Sequence, residues 1–494
     1  MFPEDAALSP LDGRYRSETA PLAKHLSEEA LNKYRLHVEV EWLIYFASLF
    51  DARAPLTDEE KQLLRDIPLS FDADMRDRLA QFEAETRHDV KAVEYFLAEQ
   101  MRQHPDTALP SWVQAAHIFA TSEDINNLAH ALGVRDAVQQ VWIPAAQALV
   151  DELREMAKNL AAQPMLARTH GQPATPTTLG KELAVFAHRL DTALDRVRGA
   201  RYYGKFNGAT GTFSAHALVL PDVDWPEASR TFVEGLGLTW NPLTTQIESH
   251  DWQVRLFADI THFNRIAHNL ATDMWQYISW DSFGQKLEGH GSTGSSTMPH
   301  KVNPIRFENA EANFELSNAV LESLRDSLST SRQQRDLSDS SSQRNVGVGF
   351  GYSLLALINL VRGLKTVEAN ESVLAADLDA HPEVIAEAIQ QALRIGELLA
   401  AGKAETAGVY DDKVEVTTAA TDGPYEKLKK ATRGKHVTLE DLHALVAAFT
   451  DDEMPPSLKD ALVNLRPATY IGLAETMVDY GRKFGSAAHG RDAE

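Results

Sequence analysis

The chain contains no cysteine. That absence excludes disulfides, cysteine-ligated zinc, iron–sulfur clusters and thiol nucleophiles together. The opening Met-Phe-Pro-Glu-Asp has neither a basic stretch nor an apolar segment behind it, so no signal peptide is expected and a reducing cytoplasm fits. Long apolar runs are lacking too. The longest, around Phe350–Val361, is broken by Gly351, Ser353 and Asn359, and reads as too short and too mixed to span a bilayer. Cations are in deficit, 48 Lys and Arg against 71 Asp and Glu, a net charge of −23. A surface this acidic argues against general binding to nucleic acid or anionic membranes. It also means that an anionic substrate needs a local basic pocket, which makes clustered arginines in loops worth following.

What is present is long amphipathic helix. The 494 residues allow two or three domains and a large core. Val138, Val141, Trp142, Leu149, Leu153, Met156 and Leu160 recur at helical steps. Leu179, Leu183, Phe186, Leu190, Leu194 and Val197 do the same, as do Leu256, Phe257, Ile260, Phe263, Ala267, Leu270 and Met274. Residues 305–328 and 345–366 read as two more long helices. Such stripes are core, and five of them predict an all-α helical bundle. Strand signals are few: 203–216 and 238–247 are candidates for short extended segments.

Seven polar interruptions, at 86–89, 121–127, 167–178, 205–216, 244–250, 289–304 and 332–345, carry Arg, His, Thr, Ser, Asn and Gln. Such stretches are ordinarily caps and turns, and Ser122-Glu-Asp or Thr177-Thr-Leu-Gly reads equally as a helix start. In Arg168-Thr-His-Gly-Gln-Pro, His170 beside a glycine can move a proton near neutral pH, or simply hydrogen-bond backbone. In Thr86-Arg-His-Asp, Asp89 can orient His88 or pair with Arg87. Arg335, Ser340 and Arg344 fall at steps of five and four, and their planar forks and hydroxyl suit a phosphate dianion. A helix start capped by Ser338, Asp339 or Ser340 is compatible with that, because a helix N-terminus itself attracts anions.

The most informative stretch is Gly294-Ser-Ser-Thr-Met-Pro-His-Lys-Val-Asn-Pro304. A polar loop of this kind can close on a ligand, aim N–H groups at a developing anion and bring Lys301 to it. Composition alone leaves a solvated linker equally open. Gly289 and Gly294 have the spacing of a phosphate loop, but Ser295 stands where the lysine belongs. His88, His170, His216, His250 and His300 are scattered without zinc spacing, and no strand, glycine-rich turn and helix form a dinucleotide unit.

Together these segments resemble the fumarase/aspartase superfamily, whose signature loop is matched at Gly294–Pro304. Within it the chain resembles the bacterial adenylosuccinate lyases. The stretches that carry this are Ser9-Pro-Leu-Asp-Gly-Arg-Tyr, Thr86-Arg-His-Asp-Val-Lys, Thr121-Ser-Glu-Asp-Ile-Asn-Asn, Arg168-Thr-His-Gly-Gln-Pro, Trp240-Asn-Pro-Leu-Thr-Thr-Gln, Arg335-Asp-Leu-Ser-Asp-Ser and Pro424-Tyr-Glu-Lys-Leu-Lys. The resemblance runs from about residue 9 to residue 482. Its main departure is 396–423, rich in Ala, Gly, Thr and acidic residues, which reads as a linker, surface excursion or insertion.

The resemblance implies a carbon–nitrogen lyase that releases fumarate by β-elimination from adenylosuccinate or from the succinyl-carboxamide ribonucleotide SAICAR. It implies Ser295 as base and His170 as general acid. Lys301 and Asn303 would hold the succinyl carboxylates. Arg87, His88 and Asp89 would hold substrate or orient the acid. Arg14, Tyr15, Arg335, Ser340 and Arg344 would bind the phosphate. Thr121, Ser122, Thr169 and Gln246 would bind the succinyl part or the purine, with Asn309 a further contact. It implies three mostly helical domains (1–112, 113–365 and 366–494) and a homotetramer with a twenty-helix core and shared active sites. No metal or redox cofactor is implied. The competing readings are another superfamily member, such as argininosuccinate lyase, fumarase, aspartase or carboxymuconate cycloisomerase, and a catalytically silent helical scaffold. The Arg335, Ser340 and Arg344 group separates the first alternative, since most of those substrates lack a phosphate; an intact Ser295, His170 and Lys301 weighs against the second.

Overall fold

The computed structural model describes residues 6–50, 53–286, 298, 301–406, 428, 437–451 and 453–480, with backbone alone at 400–406. Each apolar stripe is a long helix: Ile143–Asn159, Leu179–Arg198, Asp251–Ser279, Ile305–Leu328 and Val346–Lys365. The first is approached through a π-helical turn at Val138–Trp142 that follows helix Ser122–Ala137. Pro144 has no N–H to offer Gln140, four residues back, which is where a regular helical ladder would fail. Residues 122–127 therefore belong to a helix rather than to an interruption: the polar run from Ser122 to Asn127 is the helix's first turns, buried from Glu123 onward. Among the described residues strands occur only as two-stranded pairs. One, Tyr203–Gly204 parallel to Thr239–Trp240, falls in the two segments expected to be extended.

The chain forms two compact units. The first takes Met1–Leu149, Leu190–Thr272 and Ile305–Gly363. Helix Glu28–Leu49 opens there on Ser27, whose side chain accepts from Ala30 N, with Glu28 and Glu29 in the first turn where the helix dipole favours them. Its Trp42 packs 4.0 Å from Phe206 and 5.0 Å from Phe232, centroid to centroid. Burying one such ring stabilises by about 4–6 kcal/mol as an upper bound. A buried polar chain crosses the same unit. Trp142 Nε1 donates to Ser353 Oγ at 2.8 Å, Ser353 donates to Asn264 Oδ1 at 2.8 Å, and Asn264 Nδ2 donates to Ser317 Oγ at 3.1 Å. Ser353 thus interrupts the apolar run in order to satisfy its neighbours. The stretch Ser338–Lys365 is longer than that interrupted run suggested and has the length and hydropathy of a membrane span. Of its most apolar 18-residue window, 67% is buried within the protein, as in a core helix.

The second unit takes Val150–Arg189, Asp273–Pro304 and Leu364–Glu494. Leu179 N donates to Gln163 O and Gly180 N to Leu160 O, both at 3.0 Å, which folds the chain between helices Ile143–Asn159 and Leu179–Arg198 back on itself. Thr178 Oγ1 accepts from Lys181 N at 3.2 Å, so the Thr-Thr-Leu-Gly stretch is a capped helix start. Two strand pairs (Pro164–Met165 with Thr177–Thr178, Arg168–Thr169 with Gln172–Pro173) build the connection. A third joins Phe283–Gln285 to Val367–Ala369. Helix Ala386–Thr406 buries Ile389 and Leu393 against Leu442, Val446 and Met454. It carries the chain through residue 406, so the first part of 396–423 is helix and not linker; residues 407–423 lie outside the described residues.

Candidate active site

The first unit brings together most of the residues singled out in the sequence. Helix Ala73–Thr86 ends on Arg87, whose φ of 51° turns the chain sharply. His88 then caps helix Asp89–Arg102, its Nδ1 accepting from Lys91 N at 3.2 Å. With Nδ1 as acceptor the neutral ring carries its proton on Nε2, which lies 3.5 Å from Ser122 Oγ. Asp89 Oδ1 accepts from Val90 N at 2.9 Å, and Oδ2 accepts from Arg35 Nη2 at 2.7 Å and Arg344 Nη2 at 3.4 Å. Burial alone would raise this carboxyl, yet the Arg35 charge, the Val90 N–H and Arg344 hold it below the ordinary carboxylate value.

Arg335 and Ser340 also meet: Arg335 Nη2 donates to Ser340 Oγ at 3.2 Å and sits 2.9 Å from the buried carboxylate of Glu123. Its Nε is buried without a partner among the described residues. Short helix Ser338–Gln343 displays Ser340, while Asp339 beneath it takes a 3.3 Å contact from His250 Nε2. Arg344 pairs with Glu28 at 2.5 Å as well as with Asp89. Tyr15 Oη accepts from Asn309 Nδ2 at 3.5 Å, and Arg14 lies over the Tyr15 ring at 5.7 Å. Thr121 N donates to Asp124 Oδ2 at 2.9 Å, and Asp124 forms a fully buried 2.9 Å pair with Lys205. Asp124 also accepts from Asn207 N and Gly208 N, fixing the loop whose Ala209 carbonyl accepts from Gln246 Nε2 at 2.9 Å.

The second unit holds the remaining candidates. Thr169 pairs with Gln172 across a two-residue turn made of His170 and Gly171, with φ of 53° and 74°. Two positive φ values mark the primed hairpin turns that match strand twist. The turn displays an exposed imidazole at its tip, at the cost of a left-handed conformation that a non-glycine residue adopts reluctantly. Arg168, on the strand below, is anchored: its Nη2 donates to both Asp377 oxygens at 2.7 and 2.8 Å, and its guanidinium lies 5.5 Å over Trp280. Lys301 is exposed, and its N–H donates to Met298 O at 3.1 Å. Asn303 is half-buried next to Val302, whose carbonyl accepts from Gln285 Nε2 at 3.1 Å. Ser295 lies outside the described residues.

The similarity to known proteins decides the family. The family description "Lyase" matches residues 13–315, and "Adenylosuccinate lyase C-terminal" matches residues 331–471. Adenylosuccinate lyase of Haemophilus influenzae is 41% identical over 475 residues, covering 96% of this chain and 98% of that protein. The chain belongs to the adenylosuccinate lyase family. The Escherichia coli K12 and Vibrio cholerae adenylosuccinate lyases are 41% and 40% identical over 476 residues, each covering 96% of this chain and 98% of its own. Among solved structures, β-carboxy-cis,cis-muconate cycloisomerase of Acinetobacter calcoaceticus aligns with a TM-score of 0.66 at 18% identity, covering 94% of this chain and 97% of that one. A fumarate lyase of Mesorhizobium aligns with 0.66 at 17%, covering 94% and 98%. At that identity they show the helical superfamily fold and nothing finer.

Within this lyase fold, the sequence did not single out Arg35, Asn126, Glu123 or Asp339 as functional. Arg35 carried a signal nonetheless. It stands among the buried apolar positions of helix Glu28–Leu49, between Leu31 and Leu36, where a charge requires partners.

Proposed function

We propose that this chain cleaves adenylosuccinate to AMP and fumarate, and SAICAR to AICAR and fumarate, by β-elimination. The observation that carries the reading is similarity at about 41% identity to adenylosuccinate lyases along 96% of the chain. The reaction needs a base for a weakly acidic C–H beside a carboxylate, donors for the doubly charged carboxylate that forms, and an acid for the departing nitrogen. We assign Ser295 as the base and His170 as the acid. Exposure of the imidazole at the tip of a hairpin whose Arg168 is held by Asp377 supports the second assignment. Lys301 and Asn303 would stabilise the developing carboxylate charge, and a closed, dry loop would let Ser295 act as an alkoxide. The proton leaves carbon for Ser295, the C–N electron pair goes to nitrogen, His170 protonates that nitrogen, and fumarate departs.

The contact between Arg335 and Ser340, with Arg344 close behind in sequence, supports a phosphate subsite, to which Arg14 and Tyr15 would contribute. Arg87, His88 and Asp89 would hold substrate or orient the acid, and Thr121, Ser122, Thr169 and Gln246 would hold the succinyl part or the purine, with Asn309 a further contact. A homotetramer with shared sites, a division into three domains near residues 112 and 365, and a cytoplasmic location belong to the same proposal. The test is ultraviolet absorbance of purified protein with adenylosuccinate. Conversion to AMP and fumarate is expected, and a folded protein without turnover would sink the reading.

A further inference from the structure

The side chain of Arg35 is only 3% exposed, and each edge of its guanidinium is committed. Nε donates to Asn126 Oδ1 at 2.9 Å, Nη1 to Asn32 Oδ1 at 2.9 Å, and Nη2 to Asp89 Oδ2 at 2.7 Å. These acceptors come from three places. Asn32 lies one turn back on the same helix, Asn126 in the first turns of helix Ser122–Ala137, and Asp89 at the start of helix Asp89–Arg102.

The contacts continue outward from both arms. Asn126 Nδ2 donates to Glu123 Oε1 at 2.9 Å, and the same Glu123 oxygen faces Arg335 at 2.9 Å. Arg335 in turn donates to Ser340 Oγ at 3.2 Å. On the other arm, Asp89 Oδ2 takes a second donor from Arg344 at 3.4 Å. Arg335 and Arg344 therefore both connect to one buried guanidinium, Arg344 through Asp89 and Arg335 through Glu123 and Asn126.

The geometry points to Arg35 as a positioning residue for the nucleotide phosphate: it touches no substrate itself, but fixes Asp89 and Glu123, the carboxylates against which Arg344 and Arg335 are aimed. This rests on the phosphate subsite proposed above. The planar fork matters as much as the charge. Three acceptors reached by Nε, Nη1 and Nη2 suit the fixed fork of a guanidinium, and an ammonium on a shorter reach cannot meet all three. A buried cation also keeps Asp89 ionised when a phosphate draws Arg344 away, so the carboxylate does not have to recapture Arg344 to remain stable.

The substitution that separates positioning from mere stability is Arg35→Lys, which keeps the buried charge and loses the fork. KM for adenylosuccinate should rise at least about tenfold while kcat stays within about threefold, because the lost interaction holds ground state and transition state alike. Calorimetric titration with AMP, which is not consumed, should show the same loss of affinity. Asn126→Ala, which removes one contact and leaves Asp89 paired, should move KM in the same direction by less, and serves if Arg35→Lys folds poorly. A lowered Tm with unchanged KM and unchanged AMP affinity in both variants would make Arg35 a structural residue only and overturn the inference. Wild-type protein run alongside separates the two claims. Absent wild-type turnover and absent AMP binding reject the functional reading, whereas an active wild type with indifferent variants rejects only Arg35.

Discussion

Residues that titrate are placed in this protein by what surrounds them. His216 is 1% exposed, its Nε2 is buried without a partner among the described residues, and its ring stacks 4.9 Å from Phe119 beside Trp225. Burial drives its pKa from 6.5 down to about 4, with Lys205 adding to the effect and Asp124 opposing it. Between pH 6.5 and about 4 the unfolded chain therefore takes up a proton here and the folded chain does not. Stability should fall with pH across that window, by at most about 1.4 kcal/mol per pH unit from this group. His216→Phe keeps the stacked ring and removes the proton site. Its Tm should decline less than the wild type's between pH 6.5 and 4, and parallel curves would show that the histidine is not the sensitive group. Asp89 acts in the same direction by the same rule, over a lower pH range. Its lowered pKa gives stability that is present above the ordinary carboxylate range and lost as pH falls through the folded value. At this scale the sequence revealed residue types better than partners. Arg335 and Ser340 were legible as a pair because they are five apart. Arg35 and Asp89 are 54 apart, and only the fold shows that they touch.

Elements were legible where burial imposes a period. The five long helices follow from apolar residues at steps of three and four, since each must bury one face. Strands of two or three residues carry no such period, so the pair Phe283–Gln285 and Val367–Ala369 left no pattern to read. The helical stretch through 406 was hidden for a different reason. Its packing comes from Ile389, Ala392 and Leu393 in the earlier turns, while Ile395, Leu398 and Leu399 beyond them are exposed, so the stripe fades before the helix ends. Gly180 marks a close approach that composition did not flag. A Cβ there would stand 2.4 Å from Ala157 O and 2.5 Å from Ala161 Cα. Both are backbone atoms of the preceding helix and its end, so no side chain can rotate out of the way. Gly180→Ala should destabilise by about 1–3 kcal/mol, read as a lower midpoint in urea. An unchanged midpoint would mean that the two segments separate freely.

At the scale of the whole molecule, the charge balance and the site are one problem. A chain of net charge −23 is proposed to bind a substrate carrying a phosphate and two carboxylates, and its candidate cations already face carboxylates: Arg335 faces Glu123, and Arg344 faces Glu28 and Asp89. Pairing keeps these guanidiniums oriented in a field that favours cations, at the price of competition with the incoming anion. Higher salt should weaken both interactions, so the distribution of the motifs along the chain is the more discriminating whole-molecule feature. His170 lies in the second unit with Thr169, Lys301 and Asn303, while the phosphate candidates are in the first. If the homotetramer shares its sites, the base and the acid need not come from one chain. Ser295→Ala and His170→Ala should each lose nearly all turnover alone. Mixed after reversible dissociation, they should regain activity in up to about a quarter of the sites, the fraction in which random assembly supplies both intact residues. Recovery near that fraction argues for base and acid from different subunits. Mixtures as inactive as the parents, with subunit exchange verified by mass, argue that each chain supplies both, and would confine sharing to the residues that bind the nucleotide.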